Sequence, residues 1–146
     1  MKGDHMQRKC AEVKAMREMA GLSQTDFAEV MGVTRRQAIR WERDTTPPER
    51  ACETLERYVV RKAKAVEAAL KTVERVTEQM GHAPDLVPIT YYRDQAEYDA
   101  LGRDPGPYTV ANTNARAVAG ALMARGIATE FRYPDEGAVK TPGGRY

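Results

Sequence analysis

The amino-acid sequence predicts an α+β protein: an N-terminal all-helical headpiece, a long connecting helix and a small C-terminal α/β unit. Three observations lead there. Residues 8–46 hold apolar positions at helical spacing, interrupted by single glycines. Residues 49–80 contain neither glycine nor proline. Residues 84–133 mix β-branched and aromatic runs with a helical pattern between them. A chain of 146 residues suits one domain, or two very small ones sharing a core.

In the headpiece, Cys10, Val13, Met16 and Met19 or Ala20 recur on one helical face, and Gly21 stops that helix. Ser23 precedes Asp26 by one turn, which is an N-cap arrangement. Phe27, Val30 and Met31 form the apolar face of a second helix, with Gly32 as its left-handed cap. Thr34 caps a third helix whose Ala38 and Trp41 face inward. Asp44-Thr45-Thr46-Pro47-Pro48 ends the unit, because proline cannot continue a helix.

The connecting helix is assigned to residues 47–81, with Pro48 suited to its first turn. Cys52, Val59, Val66, Val73 and Met80 fall in one apolar row and Leu55, Ala69 and Val76 in another, which Lys62 breaks. At 1.5 Å per residue the helix would run ~45 Å. A stripe of that length needs a partner, either the third block or a second copy of the chain.

The third block, residues 84–133, opens with a strand over Leu86–Tyr92, placed at an edge or start by Pro88. Tyr91 and Tyr92 then face opposite sides. Asp94 to Leu101 is a short helix, and Gly102–Pro107 is a loop. Tyr108 to Ala111 reads as a strand, followed by a helix capped by Asn112 or Asn114 and bearing Ala115, Val118, Ala119, Leu122 and Met123. Gly126 stops it. Ile127–Tyr133 alternates with period two and reads as a last strand. It either lines its own core or continues a sheet across a two-fold axis. Residues 134–146 read as a flexible Gly/Pro-rich tail, and Met1–Met6 is set aside as native chain or a cloning scar ahead of Met6.

Composition excludes several classes. No apolar run approaches the ~20 residues that span a bilayer, so no membrane partner is expected. Cys10 and Cys52 form no metal-spaced cluster and read as small buried apolar residues, in keeping with a reduced cytoplasmic setting. His5 and His82 lack ligand-spaced neighbours, so no metal or cofactor is expected. Ser23 is the single serine, fully explained as a cap. Asp94, Glu97, Asp99 and Asp104 gather beside a polar turn, where carboxylates serve solubility and capping. No catalytic residue is assigned, and the chain is not expected to be an enzyme.

The sharper signal is charge placement. The net charge is only +2, yet Arg35, Arg36, Arg40 and Arg43 stand against Glu42 alone within residues 34–43. A helix, a glycine turn and a second helix that opens with long donor side chains can reach base edges in a DNA major groove. The candidate DNA-binding residues are Gln24, Thr34, Arg35, Arg36, Gln37, Arg40 and Arg43.

Gly21-Leu22-Ser23-Gln24, Phe27-Ala28, Gly32-Val33 and Trp41-Glu42 together resemble the helix-turn-helix domain of the Cro and phage-repressor superfamily. The resemblance covers a quarter to a third of the chain. It implies a phosphate contact for Gln24 and base or phosphate contacts for Arg35, Arg36, Gln37 and Arg40. It also implies a packing and bracing role for Trp41 and Glu42. Ala38 departs from the pattern, which usually has a large aliphatic residue there, and Ile39 stands where a polar residue is usual. Either the helix turns to bury Ile39 or Ala38 packs beneath a bulkier neighbour. The whole layout also resembles YdiL-type and anti-CRISPR-associated transcriptional regulators, whose C-terminal part dimerises. This resemblance implies a homodimeric autorepressor that binds double-stranded DNA at an inverted repeat. Two alternatives are an antitoxin that holds a protein toxin through its C-terminal unit, and an enzyme or ligand sensor with a metabolite there.

Overall fold

The computed structural model describes residues 9–136. They divide into two compact units between Arg61 and Lys62. The Met1–Met6 question and most of the tail assignment lie outside the described residues.

The first unit packs α1 (Cys10–Ala20), α2 (Gln24–Met31) and α3 (Arg35–Arg43) with the opening turns of α4 (Glu49–Met80). Its short helices start and stop where local chemistry dictates. Ser23 Oγ accepts from the Asp26 amide at 3.0 Å, and Thr34 Oγ1 from the Gln37 amide at 3.1 Å. Gly32, at φ +68°, closes α2 in the left-handed region, where a side chain would be strained. The core joins Val13, Leu22, Phe27, Met31, Trp41 and Leu55. Phe27 and Trp41 meet edge to face at 6.1 Å between ring centroids.

One position expected in this core, Val30, faces solvent instead, and of the alternatives Met19 and Ala20 it is Ala20 that turns inward. Val30 and Met19 are exposed, while Ala28 and Ala20 are buried. The apolar face of α2 is thus Phe27, Ala28 and Met31. Ala38 is fully buried and Ile39 only half-buried, so the small side chain lets α3 approach its neighbours closely.

The expected long helix is present as α4, and its apolar rows serve each unit in turn. Ala51, Cys52 and Leu55 are buried in the first unit; Ala69 and Val73 are buried in the second. Val60 and Met80 remain exposed. Lys62, which interrupts the pattern, is half-buried, and desolvation with the nearby Arg116 charge lowers its pKa.

The second unit continues with β1 (Val87–Thr90), α5 (Gln95–Leu101), α6 (Tyr108–Ala124) and β2 (Thr129–Arg132). Among the described residues the sheet has two strands, parallel, with Ile89 opposite Phe131. Parallel pairing requires a crossover, which α5 and α6 supply. The core gathers Ala69, Val73, Ile89, Ala115, Val118, Leu122 and Ile127. β1 ends at Thr90, short of the expected Tyr92; Tyr91 and Tyr92 follow it, half-buried and buried respectively.

One expected element is corrected. Tyr108–Ala111 is the first turn of α6 and not a strand, and neither Asn112 nor Asn114 is its cap. Pro107 precedes the helix, and Gln95 Oε1 accepts from the Tyr108 amide at 3.0 Å. Asn112 sits inside the helix because its side chain is engaged elsewhere. Its Oδ1 accepts from the Tyr92 amide at 2.9 Å and its Nδ2 donates to the Tyr92 carbonyl at 2.8 Å. That pairing satisfies the backbone just beyond β1, which overrides the β propensity of Tyr108-Thr109-Val110. After β2, Pro134–Glu136 forms a turn in which Asp135 accepts from Arg93 at 2.9 Å.

Candidate nucleic-acid interface

The candidate interface is built on α3, and its orientation follows from what α3 buries. Ala38, Trp41 and Glu42 point inward. With ~100° between successive residues, the opposite side of the helix carries Arg36, Arg40 and Arg43 at i, i+4 and i+7. All three are exposed. Arg35 and Ile39 flank that row on one side and the half-buried Gln37 on the other.

The inner face is held by charge as well as by packing. Arg17, from α1, grips Glu42 in a two-pronged ion pair: Nε to Oε2 at 2.7 Å and Nη2 to Oε1 at 3.0 Å. The guanidinium's third contact is the Leu22 carbonyl at 2.8 Å, at the α1–α2 junction. The two side chains are only 11% and 2% exposed, so the pair is strongly coupled to the position of α3. Arg50 adds a brace from α4, donating to the Met31 carbonyl at 3.1 Å at the C-terminal end of α2.

The outer side joins α2 and α3 through one polar contact. Arg35 Nη2 donates to Gln24 Oε1 at 3.3 Å. Gln24 opens α2, so its amide, the α2 N-terminus and the Arg35 guanidinium lie together. This surface therefore has an electropositive ridge, Arg36–Arg40–Arg43, beside an amide-rich helix start. Thr34 is exposed at the head of α3, but its hydroxyl oxygen is engaged as the cap.

The structure thus brings Gln24 and Arg35 into contact and leaves Arg36, Arg40 and Arg43 exposed on the side of α3 away from its buried face, with Thr34 and Gln37 at the head of α3. Sequence reasoning passed over Arg17 and Arg50. Neither shares a periodic pattern with α3; the clue was Glu42, a charge on a helix face otherwise facing the core, which requires a cationic partner.

Among the described residues no group of His, Cys, Asp or Glu is arranged to hold a metal ion. No described helix is long and apolar enough to cross a membrane. Residues 13–58 match a helix-turn-helix family, and so cover most of α1, all of α2 and α3 and the first turns of α4. This segment is a helix-turn-helix DNA-binding domain of the Cro and phage-repressor type. No curated protein matches the chain.

Proposed function

We propose that this chain is a homodimeric repressor that occupies an inverted-repeat operator, α3 of each copy entering the major groove. The observation that supports this most is the two-sidedness of α3. Its Ala38–Trp41–Glu42 side is locked into the domain, and its Arg36–Arg40–Arg43 side is exposed. A rigidly held helix with long donors outward suits recognition of base edges.

The residues divide by position. Arg36 and Gln37, in the first turn of α3, read bases. Arg40 and Arg43, further along, contact bases or the flanking backbone. Gln24 and Arg35 bind one phosphate jointly. Arg35 occupies the Gln24 carbonyl oxygen, which leaves the amide NH₂ to donate to a phosphate at the start of α2. Thr34 orders the head of α3 and reaches the backbone beside it. Phosphate contacts supply affinity, and base contacts supply discrimination of ~1–3 kcal/mol per good bidentate pair.

A single α3 covers only half a site. Two copies place two such helices on successive major-groove faces ~34 Å apart, which requires a near-palindromic operator. Such a protein, in the layout of phage-type regulators, silences its own promoter by excluding polymerase from the cytoplasmic chromosome.

Selection of bound sequences from random duplex DNA tests the reading, with stoichiometry measured on the winning sequence. The expected result is an inverted repeat bound by two chains. A single asymmetric site protected by one chain would overturn the dimeric repressor.

A further inference from the structure

We infer that two copies of this chain pair through the outer edge of β2, antiparallel about a two-fold axis at Phe131; this rests on the homodimer proposed above. The starting observation is an incomplete sheet. Among the described residues β2 has β1 as its one neighbour, whereas parallel sheets ordinarily have more strands and both faces covered.

The backbone shows which groups remain at the edge. Ala128 and Arg132 direct their carbonyls to β1, accepting from the Val87 and Tyr91 amides at 2.9 Å each. Strand groups alternate, so Thr129 and Phe131 direct their amides and carbonyls away from β1. The side chains agree with an extended sheet. Phe131 lies on the same sheet face as the fully buried Ile89, its register partner, yet is 44% exposed. Its ring rests edge to face on Tyr91 at 5.3 Å. An aromatic on the core-facing side of an edge strand lacks cover that a continuing strand would provide.

Charge identifies the occupant and the register. With the axis at Phe131, the two Phe131 residues form a hydrogen-bonded pair and exchange amide–carbonyl bonds. Glu130 of each copy then stands directly opposite Arg132 of the other, in the closer pairs that flank it. Shifting the axis by one residue faces Glu130 with Glu130, or Arg132 with Arg132, and like charges directly opposite are destabilising. The strand is thus complementary to itself in this alignment. In the single chain, Arg132 Nε already donates to Glu130 Oε1 at 2.8 Å, so both side chains lie on the same sheet face. At the strand end, the Tyr133 amide is held by Glu136 at 3.1 Å, which limits the ladder there. A four-residue strand buries less than the ~1,200 Å² of a stable interface, so it sets the register within a larger contact.

Sedimentation of the full chain tests this with Glu130→Arg, Arg132→Glu and an equimolar mixture of the two. Alone, each variant carries two like charges on its strand and should self-associate roughly tenfold more weakly than wild type. The mixture should recover dimer, because it restores opposite charges between copies while leaving like charges within each copy. Wild-type association in both single variants, or no recovery on mixing, overturns the β2 pairing and leaves a homodimer through another surface. A wild-type chain that stays monomeric on operator DNA removes the homodimer itself, and the pairing with it. As a second measurement, Phe131→Cys should give a disulfide-linked dimer with oxidised glutathione above the wild-type level from Cys10 and Cys52. The ~5.5 Å Cα separation of a hydrogen-bonded pair permits that bond. Absence of the crosslink overturns the proposed axis.

Discussion

Arg17 and Glu42 form a nearly dry, two-pronged ion pair that ties the first helix of the DNA-binding domain to the end of α3. Removing one partner leaves the other charge buried without compensation. Glu42→Ala should therefore cost about 3–5 kcal/mol, whereas Arg17→Met combined with Glu42→Leu should recover most of that loss. Urea unfolding followed by the fluorescence of Trp41, the chain's single tryptophan, measures both. It reports on the domain in question because Trp41 lies in its core.

Asn112 satisfies both backbone groups of Tyr92 from inside α6. Asn112→Ala orphans a buried amide and carbonyl together, at about 1–3 kcal/mol for each. The second unit should lose stability by about 2–4 kcal/mol, with faster hydrogen exchange at the Tyr92 amide. Retained protection at that amide would contradict the assigned role.

Glycines at two positions should respond to alanine with opposite signs. Gly120 lies within α6, and an added Cβ there meets open space. Gly120→Ala should stabilise by about 0.5–1 kcal/mol. Gly32 also has open space, but its φ of +68° strains any Cβ. Gly32→Ala should therefore destabilise by about 1–2 kcal/mol. Thermal unfolding of the two variants provides the comparison.

The headpiece was legible in the sequence because its controls are local. Ser23, Thr34 and Gly32 each act within one turn of themselves, and the structure uses all three as caps. The long helix was legible for a similar reason, as nothing between Pro48 and Gly81 interrupts it. The start of α6 was not. Tyr108-Thr109-Val110 prefers a strand by composition, and the contacts that decide otherwise come from Gln95 and Tyr92, distant in sequence. At the candidate interface, the arginine row could be read from spacing, and Ala38–Ile39 left its rotation open by one position. Burial of Ala38 resolves that rotation. Arg17 was hidden because an ion pair between helices leaves no periodic trace in either one.

Gln24 and Arg35 are joined at 3.3 Å, and the proposed function has them bind a DNA phosphate together. Gln24→Ala should weaken binding to operator and random DNA by similar factors, since phosphates carry no sequence information. Arg35→Ala should also flatten the dependence of log Kobs on log salt by about one unit for each half-site, because one cation is lost per copy. An unchanged salt slope would place Arg35 away from phosphate.

The most direct test of the central claim is the affinity of Arg36→Ala for the selected operator and for random duplex, measured side by side at one salt concentration. Operator affinity is expected to fall by roughly thirtyfold or more, the equivalent of one good bidentate contact of ~1–3 kcal/mol lost in each of two half-sites, with much smaller loss on random DNA. Equal losses on both would contradict a groove-reading α3 and leave its arginines as a non-specific cationic surface.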